Sequence, residues 1–213
     1  MAQCRITEIF YSLQGETRTI GLPTVFVRLT GCPLRCGYCD TAYAFTGGEK
    51  IEVADIVEQV SAYNPRYVTV TGGEPLAQQS CHELLSALCD LDVEVSLETS
   101  GAIDISVVDP RVVCVMDLKT PKSGEENRNI YANIDKLKPQ DQLKFVICDR
   151  DDYDWACQKM TEYALSERCE VLFSPIHGEL NPTDLADWII EDNLPVRMQV
   201  QLHKYLWNDE QGR

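Results

Sequence analysis

The chain has 213 residues, 44% hydrophobic and 25% charged, which suits a single domain over 1–213 with a sizeable buried core. Its net charge of −15, from 19 basic and 34 acidic residues, provides no basic stripe for a nucleic-acid backbone, so no nucleic-acid partner is expected. No apolar run reaches the roughly 18–20 residues that span a bilayer, and the first ten residues lack a signal peptide's apolar core; no membrane role is expected, and the default location is cytoplasmic.

The predicted elements alternate short β-rich runs with helical periods. The first predicted strand covers 24–30, and Thr30-Gly31 leads into a group of cysteines. Val53, Ile56, Val57 and Val60 then recur at i, i+3, i+4 and i+7, the stripe of an amphipathic helix. A strand over 67–71 ends in Thr71-Gly72-Gly73-Glu74-Pro75, and a helix over 79–88 follows. Strand 93–99 ends in Glu98-Thr99-Ser100-Gly101, and strand 112–119 in Lys119-Thr120-Pro121-Lys122. Next come strand 142–147, helix 153–165 and strand 170–174, the last running into Ser174-Pro175-Ile176-His177-Gly178. The last predicted helix starts at Asn181, with Pro182 in its first turn, and a final strand covers 197–203.

This rhythm implies an α/β fold with mostly parallel strands and crossover helices. A closed eight-fold barrel typically needs about 250 residues, so a partial, open TIM-like barrel is expected. Polar residues repeat with period two on the strands: Thr69 and Thr71; Glu94, Ser96 and Glu98; Asp117 and Lys119. Such a face either lines a cavity or meets water; crossover helices would cover a water-facing side, which favours the cavity. The polar phrases at the strands' carboxyl ends would converge there, where parallel sheets place their ligands.

Of the ten cysteines, seven are scattered and read as small buried hydrophobes. The other three form Cys32-Pro33-Leu34-Arg35-Cys36-Gly37-Tyr38-Cys39. Three thiolates at CxxxCxxC spacing can each bind one iron of a [4Fe–4S] cubane and leave the fourth iron open to an external ligand. The competing readings are a zinc site, which wants four closed ligands, and three structural cysteines.

CxxxCxxC after a first strand resembles the radical S-adenosylmethionine superfamily. The resemblance implies the radical SAM core fold, a [4Fe–4S] cluster on Cys32, Cys36 and Cys39, and S-adenosylmethionine on the open iron. Reductive cleavage would give a 5′-deoxyadenosyl radical, with no catalytic side chain required beyond the cluster and that radical. Residues 71–75 resemble the superfamily's GGEP motif, in which two glycines allow close approach of backbone to ligand and Glu74 can accept from an ammonium group.

Glu8-Ile9-Phe10-Tyr11-Ser12-Leu13-Gln14-Gly15-Glu16 is similar to the start of the 7-carboxy-7-deazaguanine synthase family. Cys39-Asp40-Thr41, Glu98-Thr99-Ser100-Gly101 and Gln201-Leu202-His203-Lys204 agree with it. The resemblance implies ring contraction of 6-carboxy-5,6,7,8-tetrahydropterin to 7-carboxy-7-deazaguanine with loss of ammonia, a step toward queuosine and other deazapurines. The implied substrate site is Leu13, Gln14, Gly15, Glu16, Arg28, Thr99 and His203, with Arg28 pairing the substrate carboxylate. The implied cofactor contacts are Tyr38, against the adenine, with Cys39, Asp40, Gly73, Glu74, Gly101, Thr120, Pro121, Lys122, Ser174, Pro175, Ile176 and His177. Thr41 is the implied Mg2+ ligand. A homodimer and a flavodoxin-like or ferredoxin-like electron donor are likewise implied. Thr17 stands where the motif commonly has glycine, so an altered backbone is expected over 17–23. Two rival readings are a glycyl-radical-activating enzyme, which shares the cysteine motif, and a non-enzymatic iron–sulfur or zinc module.

Overall fold

The computed structural model describes residues 2–208 and 210–213. A long strand, β1 (Gln3–Leu13), folds back antiparallel onto β2 (Pro23–Leu29) and carries the short β3 (Glu49–Glu52), also antiparallel, on its other edge. From β2 onward each neighbour is parallel: β4 (Tyr67–Gly72), β5 (Glu94–Thr99), β6 (Val113–Asp117), β7 (Gln142–Ile147), β8 (Glu170–Pro175) and the two-residue β9 (Arg197–Met198). The sheet order is β3-β1-β2-β4-β5-β6-β7-β8-β9. Among the described residues the end strands do not pair, so the expected open barrel is what forms.

Period-two alternation sorts each strand into two faces. Val25, Val27 and Leu29 of β2, Val68 and Val70 of β4, Val95 and Leu97 of β5, and Leu143 and Phe145 of β7 share one continuous apolar core. Four helices complete it: α1 (Val53–Ala62) through Ile56 and Val60, α2 (Cys81–Cys89) through Leu84, Leu85 and Leu88, α3 (Arg150–Tyr163) through Tyr153 and Ala156, and α4 (Pro182–Glu191) through Leu185. The intervening residues Arg28, Thr71, Glu98, Asp117 and Lys144 face the barrel interior and line a cavity. The helices pack on the apolar face and the polar face lines the cavity, as the alternation implied.

The structure corrects several expectations. The strand predicted over 197–203 stops at Met198, and 202–207 is a further helix, α5 (Leu202–Trp207), so α4 is not the last helix. The backbone leaves the sheet because Gln199 turns inward, where its side chain accepts from the Thr17 amide at 2.7 Å, and the Leu202 amide donates to the Gly15 carbonyl at 2.9 Å. His203 therefore sits on a helix rather than at a strand end. β1 and β3 had no counterpart in the predicted elements. α3 starts at Arg150, because the Asp149 side chain caps the Asp152 amide at 3.0 Å and adds a turn before Tyr153. Among the described residues no helix is long and apolar enough to cross a membrane.

Thr17 shows how the β1–β2 connection accommodates a non-glycine residue. It adopts φ of +67°, the left-handed conformation that glycine takes freely, and it is buried. A left-handed L-residue costs roughly 1–2 kcal/mol. The Gln199 hydrogen bond and a 3.1 Å hydroxyl contact with Thr19 offset part of that. Both Thr17→Gly and Thr17→Ala remove the hydroxyl, but only glycine relieves the backbone. Thr17→Gly is expected to be the more stable of the two by roughly 1 kcal/mol in denaturant unfolding; equal stabilities would remove strain from this loop.

Candidate active site

The inward-facing residues and the strand-end loops enclose a cavity of about 400 Å³, within the size range of small-molecule sites. Two sets of residues distant in sequence meet there. One is the loop after β2, which brings Cys32, Cys36, Tyr38, Cys39, Asp40 and Thr41 to the wall. The other is the end of β1, Leu13 to Glu16, joined by Arg28, Thr99 and His203. All seven residues of the expected substrate site thus line one cavity with the three cysteines.

The cysteine loop is held from both ends. The Arg35 guanidinium donates to the carbonyls of Cys32 and Leu34 at 2.7 and 2.6 Å and stacks 4.3 Å from the Phe45 ring. The Gly37 amide donates to the Ser123 carbonyl at 3.0 Å, and the Arg35 amide to Glu125 at 2.5 Å. Gly73 packs under the loop; a Cβ there would lie 2.2 Å from the Gly31 carbonyl oxygen and 2.8 Å from the Cys32 Cβ. Burial pushes the Cys36 thiol up to about 11, against the pull of the nearby Lys119 cation.

Among the described residues no three His, Cys, Asp or Glu side chains crowd closely enough to share one metal ion. A cubane binds each thiolate to a separate iron rather than gathering all three on one ion, and Cys32, Cys36 and Cys39 all line the cavity. Lining the same cavity, the Tyr38 hydroxyl and Asp117 Oδ1 are buried and have no hydrogen-bond partner among the described residues, as suits a site that receives a polar ligand.

The cavity carries dense, paired charge. Lys144 reaches Glu16 at 2.8 Å and Asp117 at 3.5 Å, and Lys119 reaches the same Asp117 oxygen at 3.1 Å. Burial alone would raise the Glu16 carboxyl, but Lys144 holds it below the ordinary value. Glu98 lies the other way: burial raises it, with Glu16 adding to the effect, while it accepts from Thr71 at 2.9 Å and Gln14 at 3.3 Å. Burial holds His203 below its usual value despite the nearby Glu16 and Asp40. Arg28 uses only its Nε, donating to Glu8 at 2.7 Å; among the described residues its two terminal nitrogens make no hydrogen bond. That leaves the forked end of the guanidinium for a carboxylate. α5 forms one wall: Gln201 donates to both Glu16 and Asp40 at 3.1 Å, and a Cβ on Gly15 would strike the His203 ring at 2.1 Å.

Several expected cofactor contacts are not at this wall. Glu74 is fully buried, and its carboxylate accepts from Thr99 Oγ1, the Ser100 amide and hydroxyl, and the Leu76 amide, so it has no free face for an ammonium group. The Gly101 carbonyl is taken by Ile130 and Asn133. Thr120 is buried against Val146 and Asp152, Lys122 pairs with Asp149 at 2.9 Å outside the cavity, and Ser174 is buried in β8. Pro121 opens the turn that supports the cysteine loop rather than lining the cavity. Ile176 and His177 do line it, and with Pro175 they also border an adjoining pocket of about 290 Å³. Glu98 and Asp117 lie on the polar strand face expected to line the cavity, whereas Lys144 was missed; the available signal was a lone lysine inside the apolar strand Gln142–Ile147.

Comparison with known proteins agrees with this geometry. A family model described as the Radical SAM superfamily matches residues 26–116. The 7-carboxy-7-deazaguanine synthase of Chlorobaculum tepidum is 43% identical over 98% of this chain and 96% of its own length. That of Koribacter versatilis is 40% identical over 97% and 98%. Among solved structures, QueE from Escherichia coli superposes with a TM-score of 0.77 at 22% identity, covering 94% of this chain and 95% of that one, a likeness of fold.

Proposed function

This chain belongs to the 7-carboxy-7-deazaguanine synthase family of the Radical SAM superfamily, and from that premise we propose that its cavity converts 6-carboxy-5,6,7,8-tetrahydropterin to 7-carboxy-7-deazaguanine with release of ammonia. The observation that carries the reading is the meeting of Cys32, Cys36 and Cys39 with Leu13–Glu16 and Arg28 around one cavity. The near full-length match to synthases displaces the two rivals, a glycyl-radical-activating enzyme and a non-enzymatic metal module.

When bound, the cluster and S-adenosylmethionine supply one-electron reduction and hydrogen-atom abstraction. The chain's own residues choose what meets that chemistry. The free fork of Arg28 takes the substrate carboxylate. Gln14, Glu16 and Thr99 present donors and acceptors to the heterocycle, and the Lys144 pairing keeps Glu16 an acceptor. His203 closes the wall beside Gly15. Tyr38 packs against the adenine, and Gly73 with Ile176 and His177 bounds the cofactor. Thr41 donates its proton to Asp40 at 2.8 Å, which leaves its oxygen lone pairs for a Mg2+ that keeps most of its waters. A cytoplasmic homodimer served by a flavodoxin-like or ferredoxin-like donor completes the reading.

The test is anaerobic turnover of reconstituted protein with the pterin, S-adenosylmethionine, Mg2+ and a one-electron reductant. Product of the deazapurine's mass with one ammonia per turnover is expected. An intact cluster that cleaves S-adenosylmethionine yet leaves the pterin unchanged would overturn it.

A further inference from the structure

We propose that Lys119 is a positioning charge for the iron–sulfur cluster, its buried ammonium favouring the reduced state, with Asp117 as the counter-charge that limits the effect. The inference rests on the reading that Cys32, Cys36 and Cys39 hold that cluster. Lys119 and Asp117 line the same cavity as the three cysteines, and their side chains are only 12% and 14% exposed. The Asp117 carboxylate, 3.1 Å from the Lys119 ammonium, compensates the charge in this buried setting.

The placement is built rather than incidental. The Lys119 amide donates to Asn129 Oδ1 and its carbonyl accepts from Asn129 Nδ2, both at 2.9 Å, so one side chain clamps the lysine's backbone on both edges. Four residues on, the Ser123 carbonyl receives the Gly37 amide of the cysteine loop, and Glu125 receives the Arg35 amide. The turn that carries Lys119 thus also fixes the loop that carries the cysteines. Asp117 holds the ammonium at 3.1 Å and is shared with Lys144 at 3.5 Å.

The physical consequence follows from charge alone. A cubane on three thiolates is anionic, and taking up one electron adds another negative charge. In a poorly solvated wall a fixed cation stabilises the more negative state, and a fixed anion opposes it. Removing Lys119 and removing the charge of Asp117 should therefore move the cluster's potential in opposite directions, which loss of packing would not do.

The experiment is potentiometry, followed by electron paramagnetic resonance, on the reconstituted full chain without S-adenosylmethionine. Lys119→Met is expected to favour the oxidised cluster about tenfold, a fall of about 59 mV for a one-electron couple. Asp117→Asn is expected to raise the midpoint, and Lys119→Arg to restore it to near the wild-type value. Should Lys119→Met take up no iron, the rise in Asp117→Asn and the retention in Lys119→Arg decide the matter. Midpoints that do not move, or that move in the same direction in both charge-removing variants, overturn the inference and leave the synthase reading standing. A wild-type chain that assembles no [4Fe–4S] cluster overturns both.

Discussion

Replacing Cys36 with alanine is expected to abolish product formation while leaving the chain folded. The Cys36 side chain is half-buried in a loop, and its thiol makes no hydrogen bond among the described residues. Truncation there removes little packing, and a cost of about 1 kcal/mol or less fits a substitution that creates no buried orphan. The loop keeps its shape because its anchors are elsewhere: Arg35 on the carbonyls of Cys32 and Leu34, and the Gly37 amide on Ser123. The cluster, by contrast, loses one of three protein ligands. Iron content after reconstitution should fall sharply, and cleavage of S-adenosylmethionine should fall with it. Cys148→Ala is the control, because Cys148 lies outside the cavity wall and is expected to retain both iron and turnover. Product from Cys36→Ala at a rate near wild type would remove the cluster from the mechanism.

Glu74→Gln is expected to destabilise the fold by about 3 kcal/mol and to impair turnover through that loss. The Glu74 carboxylate receives donors from three residues in the dark of the core: Thr99, Ser100 and Leu76. A carboxylate only accepts, whereas an amide brings two donors of its own. One of its ends would then face donors that already point inward. One or two orphaned buried donors at about 1–3 kcal/mol each give the stated cost. The turn after β5, which delivers Thr99 and Ser100 to the cavity, would lose its anchor to β4. The competing role, an ammonium-binding carboxylate, makes a different forecast: weaker cofactor binding at unchanged stability. Denaturant unfolding of the metal-free chain separates the two, and an unshifted midpoint would restore the ammonium-binding role.

The parts of this fold that were legible in the sequence are those where local pattern and tertiary role coincide. Val68-Thr69-Val70-Thr71 alternates because one face packs on helices and the other lines the cavity, so strand, face and cavity follow from four residues. The cysteine spacing is equally local. The antiparallel arm was not legible: β1 mixes charged and apolar residues at the sheet's margin, and its Glu8–Glu16 stretch drew attention as a motif rather than a strand. The segment from Arg197 failed for the opposite reason. It alternates like a strand, but Gln199 and Gln201 spend their amides on Thr17, Glu16 and Asp40, partners more than 150 positions away. Lys144 became meaningful only once β7 was set beside β6 and against the end of β1, where its charge meets Glu16 and Asp117.

The wall formed by α5 also orders events in time. The cysteines and Leu13–Glu16 emerge early in synthesis, whereas Gln201 and His203, which pack on Glu16, Asp40 and Gly15, follow about 160 residues later. At 5–20 residues per second the intervening stretch takes roughly 10–30 s to make. For that interval the cavity lacks the side that Gln201 and His203 supply, so a site whose other parts are already made is completed only when that later segment arrives.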